Sequence, residues 1–133
     1  GCGLSVAPNK GQPHADGSVS VLGARRLVVR LKAPAGVNIQ PTLNESGHGP
    51  TESQTFDGTD GADGEAYVHP YQRTEDGWRE YAFDLLTFEP TPHYGNQRGN
   101  CTVDTQAIGQ VGLTFAGQPG EEISVEIAWF RFD

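Results

Sequence analysis

The chain has 133 residues and a formal net charge of −8, and Gly and Pro together fill 27 positions. This length fits one domain over residues 1–133, and the acidic balance argues against nucleic-acid binding, which needs clustered Lys and Arg. No run of about 18 apolar residues occurs, so a membrane span is not expected, and any secretion signal is expected to lie outside this segment.

The first half of the chain predicts short strands separated by turns. Residues 1–18 are predicted to form an arm or a weak edge strand, and residues 18–22 a short strand. Residues 26–32 alternate apolar and polar side chains in two-residue steps, which is typical of a strand with one buried face. After a turn, residues 37–44 are predicted to pair with that strand as a hairpin. Pro41 lacks an N–H, so this strand is expected near an edge or at a bulge.

The second half of the chain continues the same pattern. Residues 45–65 and 89–100 are polar and are predicted to be long loops, and three strands are predicted at residues 67–73, 110–115 and 123–132. Residues 78–88 carry the longest series of bulky apolar side chains, so Trp78, Tyr81, Phe83 and Leu85 are expected in the core. The last strand loses its alternation at Ala128 and Trp129, which predicts a bulge that turns Trp129 outward. The fold class predicted is all-β, a sandwich of two antiparallel sheets.

The order of these motifs resembles a known family. It comprises the strand at 26–31, Asn44-Glu45, the Gly-Ala-Asp-Gly-Glu element at 61–65, Trp78 with Tyr81, Phe83 to Phe88, and the strands at 111–115 and 125–130. The set resembles the galactose-binding-like, jelly-roll β-sandwich carbohydrate-binding modules of secreted polysaccharide-degrading enzymes, and most of all those that bind single β-glucan chains. The resemblance covers about Val19 to Asp133. Many such modules have an Asp that supports a structural calcium where this chain has Ala128, so that terminal calcium site is not carried over.

Residues 67–73 are predicted to form the recognition strand. Tyr67, His69 and Tyr71 would lie on one side, about 7 Å apart per two-residue step, which suits the spacing of sugar rings in an extended glycan. Aromatic rings desolvate the apolar C–H faces of sugars while polar neighbours bind the hydroxyls. The alternative is that these rings belong to the core and that Ala66, Val68 and Pro70 face outward.

Further candidate ligand-binding residues are polar or aromatic. Amide and guanidinium groups suit sugar hydroxyls, and a ring in a proline-stiffened loop could wall a cleft. The alternatives are a solvated sheet face for the amides and ion pairs for the arginines. This set comprises Gln40, Asn44, Arg30, Arg73, Trp129 and Tyr94.

An acidic, Gly-rich segment is a candidate calcium site. Its carboxylates are spaced by three residues, and glycines would let the backbone fold around an ion that prefers oxygen ligands. The alternative is a solvated acidic loop. The candidate ligands of a structural Ca²⁺ are Asp57, Asp60, Asp63 and Glu65.

The two cysteines, Cys2 and Cys101, show no zinc-binding spacing. They are either reduced thiols or a disulfide. The disulfide is preferred because it would fix the N-terminal arm to a distant loop and stabilise the fold, and it implies an oxidising compartment.

No motif pairs a nucleophile with a base, so the chain is not expected to be an enzyme. The resemblance implies a monomeric, secreted, extracellular module that binds xyloglucan, cello-oligosaccharides or mixed-linkage glucan and targets an attached glycoside hydrolase, outside this segment, to its polysaccharide. The alternative is a small β-sandwich glycanase or polysaccharide lyase that uses acids such as Glu80 or Glu126.

Overall fold

The computed structural model of the chain describes residues 2–6, 20–45, 64–92, 101–106 and 108–133. These residues form nine strands and one 3₁₀ turn. The strands are β1 Cys2–Val6, β2 Arg26–Ala33, β3 Asn38–Glu45, β4 Ala66–Val68, β5 Gln72–Arg73, β6 Gly77–Asp84, β7 Glu89–Pro90, β8 Ile108–Ala116 and β9 Glu126–Phe132, and the 3₁₀ turn is Leu85–Thr87.

The strands build two antiparallel sheets, which confirms the predicted β-sandwich. The large sheet has the order β1-β8-β3-β4-β7, and β5 also pairs with β3. The small sheet has the order β6-β2-β9. Every pairing between the strands is antiparallel.

The core lies between the sheets and follows the two-residue alternation of the strands. Leu27, Val29 and Leu31 of β2 and Ile39 and Leu43 of β3 are each completely buried. The prediction that Tyr81, Phe83 and Leu85 belong to the core is confirmed, since all three are buried in the same cluster. Trp78 was predicted to lie in the core, and this is wrong: its side chain is 42% exposed.

The predicted hairpin of β2 with β3 is also wrong, because the two strands lie in different sheets. The turn between them carries the chain across the core, and buried Thr74 fixes this crossover. The Thr74 hydroxyl donates to the carbonyl of Pro34 (2.6 Å) and accepts from the N–H of Val37 (3.0 Å). Its backbone also exchanges hydrogen bonds with Gly36 and Val37. Gly36 has φ +83°, a conformation that glycine adopts without strain.

Pro41 does not lie at an edge, because β3 is bordered by β8 on one side and by β4 and β5 on the other. The C=O of Pro41 accepts from the N–H of His69, so it points to the β4 and β5 side. The N–H and C=O of a residue in an antiparallel strand point to the same side. The missing N–H of Pro41 therefore faces the gap between β4 and β5, where the ladder is interrupted.

Two local predictions have opposite outcomes. The predicted bulge in β9 is confirmed: Trp129 pairs with Arg30 and Ile127 with Leu31, so Ala128 is the extra residue. The predicted strand at residues 18–22 is not observed in its described part, residues 20–22, where Val21 instead donates its N–H to the carbonyl of Thr105.

Replacing the crossover threonine, Thr74→Val, should lower the free energy of unfolding by about 1–3 kcal/mol, because the buried N–H of Val37 loses its acceptor. Urea denaturation followed by tryptophan fluorescence measures this loss. The matched control is Thr87→Val at an exposed threonine, which should change the stability by less than about 0.5 kcal/mol. Equal stability of Thr74→Val and the wild type would contradict the anchoring role of this hydroxyl.

Candidate functional site

The predicted recognition strand, residues 67–73, is not a continuous strand. It consists of β4, three intervening residues and β5, because Pro41 offers no donor to the middle of it. Tyr67, His69 and Tyr71 therefore do not form the expected row of rings on one exposed face.

Tyr67 is a core residue, so its proposed contact with a ligand is wrong. It is completely buried, and its hydroxyl donates to the carboxylate of Glu65. The core alternative for this ring is the one that the structure supports.

His69 and Tyr71 behave differently from Tyr67 and from each other. The His69 ring makes edge contacts with Phe83 and Phe88 at centroid distances of 5.1 and 5.2 Å, so it packs against the core from the side. Tyr71 is 54% exposed in the segment between β4 and β5. Only Tyr71 of the three presents most of its ring to solvent.

Gln40 and Asn44 lie on the outer face of the large sheet, as their alternation predicts. Both are partly exposed, and the Asn44 amide donates to the side-chain oxygen of Gln110 on β8 (2.7 Å). Arg73, in β5, is exposed beside the same sheet. Tyr94 lies outside the described residues.

The candidate calcium ligands Asp57, Asp60 and Asp63 also lie outside the described residues, so a structural Ca²⁺ stays a prediction. Glu65 is described and is buried. Its two carboxylate oxygens accept from the backbone N–H of Cys101 at 3.0 and 3.1 Å, in addition to the Tyr67 hydroxyl. Among the described residues no group of three or more His, Cys, Asp or Glu side chains is arranged to hold a metal ion.

A second buried carboxylate, Glu45, binds the same segment as Glu65, residues 101–104. Glu45 accepts from the backbone N–H groups of Asp104 (2.7 Å) and Glu65 (3.3 Å). Together the two carboxylates attach residues 101–104 to the end of the large sheet. Cys101 lies in this segment as an exposed, free thiol, so the predicted disulfide with Cys2 is not formed in the structure.

Both tryptophans lie on the small sheet, where Trp78 is exposed and Trp129 is partly exposed. Arg30 faces outward on β2 because its neighbours Val29 and Leu31 face the core. It pairs with Trp129 on β9 and with Glu80 on β6, and the next outward residue, Lys32, pairs with Trp78. Trp78, Arg30, Trp129 and Arg131 thus share one outer surface, which we call the aromatic face.

Each tryptophan of the aromatic face is stacked by an arginine. The guanidinium carbon of Arg30 lies 5.6 Å from the ring centroid of Trp78, and that of Arg131 lies 4.8 Å from the ring of Trp129. Both distances are in the range of cation–π attraction. Stacking restricts the rotamers of the indoles, so contacts within the protein hold both rings in place.

Arg131 is held in turn by Asp133 through two hydrogen bonds, Nε to Oδ1 at 2.6 Å and Nη2 to Oδ2 at 3.1 Å. This hydrogen bond raises the pKa of Arg131 and lowers the pKa of Asp133 below its ordinary range. The ion pair is therefore present above the ordinary Asp pKa and is lost only as the pH falls through the lowered value.

Arg30 differs from Arg131 in having no carboxylate partner. It forms no ion pair or hydrogen bond to a side chain within the part of the chain that the structure describes. Glu80 and Glu126 lie on the same surface, so the cations Arg30 and Lys32 are balanced in charge. The aromatic face therefore offers two flat apolar rings, free N–H donors and carboxylate acceptors, without an excess of either charge.

Of the residues on the aromatic face, Arg30 and Trp129 were among the candidates predicted from the sequence, whereas Trp78 and Arg131 were not. The alternation that buries Tyr81 and Phe83 places every second residue of β6 outward, Trp78 included. That signal was available in the sequence. The selected residues do not converge on one site: Gln40 and Asn44 face outward from the large sheet, whereas Arg30 and Trp129 face outward from the small one.

No family model, curated protein or solved structure matches this chain. Among the described residues there is no helix long and apolar enough to cross a membrane.

Removing the buried carboxylate in Glu65→Ala should destabilise the domain by about 3 kcal/mol, because the N–H of Cys101 and the hydroxyl of Tyr67 both lose their acceptor. Thermal and urea unfolding measure the effect. Glu89→Ala, at an exposed glutamate of β7, is the control and should leave the stability nearly unchanged. A loss at Glu65 no larger than that at Glu89 would show that the carboxylate does not secure the 101–104 segment.

Proposed function

We propose that this domain is a non-catalytic carbohydrate-binding module that holds a neutral β-glucan chain, such as xyloglucan, a cello-oligosaccharide or mixed-linkage glucan, against the aromatic face. In this proposal it is secreted as a monomeric unit and keeps an attached glycoside hydrolase close to its polysaccharide. The observation that carries the proposal is the pair of partly exposed tryptophans on one rigid sheet surface, each stacked by an arginine.

The geometry of the aromatic face suits an extended sugar chain. The tryptophans lie on the two outer strands of a three-stranded sheet, about 10 Å apart across the strands, and one outward position apart along them, about 7 Å. The diagonal of about 12 Å is long enough for more than one sugar ring to contact indole surface. Glycans need such flat apolar contacts for their C–H faces.

The polar groups around the tryptophans complement sugar hydroxyls. A hydroxyl both donates and accepts, so it can bind a guanidinium N–H and a carboxylate oxygen at once. Arg30 and its cross-strand neighbour Glu80 offer this combination between the two rings. The balance of charge favours an uncharged ligand over an anionic polymer.

The alternative of a glycanase finds less support on the same surface. Glu80 and Glu126 both lie on the outer face of the small sheet and are exposed to solvent. The carboxylic acid that protonates the leaving group in a glycosidase is kept protonated by an apolar, desolvated environment. The flat part of the sheet, which carries Glu80, also lacks the walls that exclude water from a catalytic cleft.

A second candidate function uses the same surface, since Trp and Arg are also the residues that dominate protein interfaces. In that case the aromatic face packs against a neighbouring domain and the protein is a structural spacer. The two functions differ in a direct measurement, because only the first gives binding to free oligosaccharides.

The decisive test is isothermal titration with cello- and xyloglucan oligosaccharides for the wild type and for Trp78→Ala, Trp129→Ala and Tyr71→Ala. We expect each tryptophan variant to lose about tenfold in affinity, equivalent to about 1.4 kcal/mol, with little change in melting temperature because both rings lie on the surface. Tyr71→Ala is the matched control. It deletes an exposed aromatic side chain beside the large sheet, away from the aromatic face, and should leave the affinity unchanged.

The results separate the possible surfaces. Loss of affinity in Tyr71→Ala alone would transfer the site to the edge of the large sheet and contradict the proposal. Absence of heat for the wild type at millimolar oligosaccharide would rule out the carbohydrate function and leave the structural one.

A further inference from the structure

The aromatic face does not end at Trp78. A groove of about 410 Å³ opens at that end of the small sheet, and its lining includes Lys32, Gly77 and Glu126. Lys32 pairs across the strands with both Trp78 and Glu126. The last row of the aromatic face is therefore also the first row of the groove, and the two form one continuous surface.

The groove extends the surface along the strands. From Arg30, between the tryptophans, to Pro34, in the groove, the chain advances four residues, or about 13 Å at the rise of a strand. A ligand that lies over Arg30, between the two tryptophans, and continues along β2 enters the groove.

The polar groups of the groove are exposed and available. Its side chains include one ammonium, Lys32, and three carboxylates, those of Asp76, Glu122 and Glu126, together with the hydroxyl of Ser124. None of the four charged groups forms an ion pair with another residue that the structure describes. Carboxylates accept hydrogen bonds from hydroxyls, and an excess of them repels anionic ligands.

We propose that this groove is an additional subsite for the same glycan: it binds the sugar units beyond the aromatic face through their hydroxyls and raises the affinity for uncharged chains longer than the face itself. This inference rests on the proposed function and adds to it a preference for longer chains and a discrimination against uronic acids. It places the ligand along β2, so that the glycan passes Trp129 on one side and Trp78 on the other and then enters the space between the start of β9 and the turn before β6.

The first experiment is a titration series from cellotriose to cellohexaose with the wild type and with Ser124→Leu, which fills the groove without adding an aromatic ring. We expect the hexasaccharide to bind the wild type about tenfold more tightly than the trisaccharide. In Ser124→Leu this gain should disappear while the affinity for the trisaccharide stays the same. Thr87→Leu, the same kind of change at an exposed position outside the groove, is the control and should keep the gain.

The second experiment tests the charge of the groove with substitutions that preserve shape. The double variant Glu122→Gln with Glu126→Gln should bind β-linked glucuronate oligosaccharides more tightly than the wild type does, by about tenfold. Glu89→Gln, at a distant exposed glutamate, should not. This variant also keeps the proposal testable if Ser124→Leu folds poorly.

The outcomes distinguish the inference from the proposed function. Equal affinity for short and long oligosaccharides in the wild type, or a gain with length that survives in Ser124→Leu, would overturn the subsite and leave the aromatic face as a binding site. Binding of no oligosaccharide at all would remove the proposed function and the subsite together.

Discussion

The alternation of side chains in β2 is the constraint on which both the core and the candidate site depend. β2 is the central strand of the small sheet, and its residues Leu27, Val29 and Leu31 are completely buried. Because side chains alternate between the two faces of a strand, burying these three fixes Arg30 and Lys32 on the outer face. The registers of β6 and β9 then bring Trp78 and Trp129 beside them. A shift of either neighbour by one residue would exchange its core and surface sets.

Pro41 is the corresponding constraint in the large sheet. It prevents residues 66–73 from forming one continuous strand with an exposed row of rings. The strand that contains it is central and packs Ile39 and Leu43 into the core, but its missing N–H interrupts the ladder with residues 66–73. Tyr67 and Tyr71 thus fall on different sides of a break, one in the core and one in solvent. The hydrogen bonds of Thr74 fix the chain after this break to the turn between β2 and β3. That turn connects the small sheet to the large one.

The sequence predicted the fold class and most of the long strands because these depend on local alternation and on turn residues. It predicted the outward turn of Trp129 for the same reason, since a break in alternation is visible in one strand. It could not show that β2 and β3 lie in different sheets, because the partner of a strand is decided by packing across the whole core. The assignment of Trp78 to the core failed for another reason: residue size was given more weight than its place in the alternation of β6.

The arginines explain how a small sheet can keep two large indoles near solvent in defined positions. A tryptophan side chain exposed to water moves among several rotamers. A ligand that fixes it in one rotamer must offset the conformational entropy that is lost. Arg131 is itself held by two hydrogen bonds to Asp133 and lies over Trp129, so this indole is ordered by contacts within the protein. Arg30 orders Trp78 in the same way but has no carboxylate partner among the described residues, which leaves its N–H donors free. Arg131 is thus held by a carboxylate and Arg30 is not, within the part of the chain that the structure describes, and that asymmetry gives the aromatic face a direction, with its unpaired guanidinium stacked on Trp78 toward the groove.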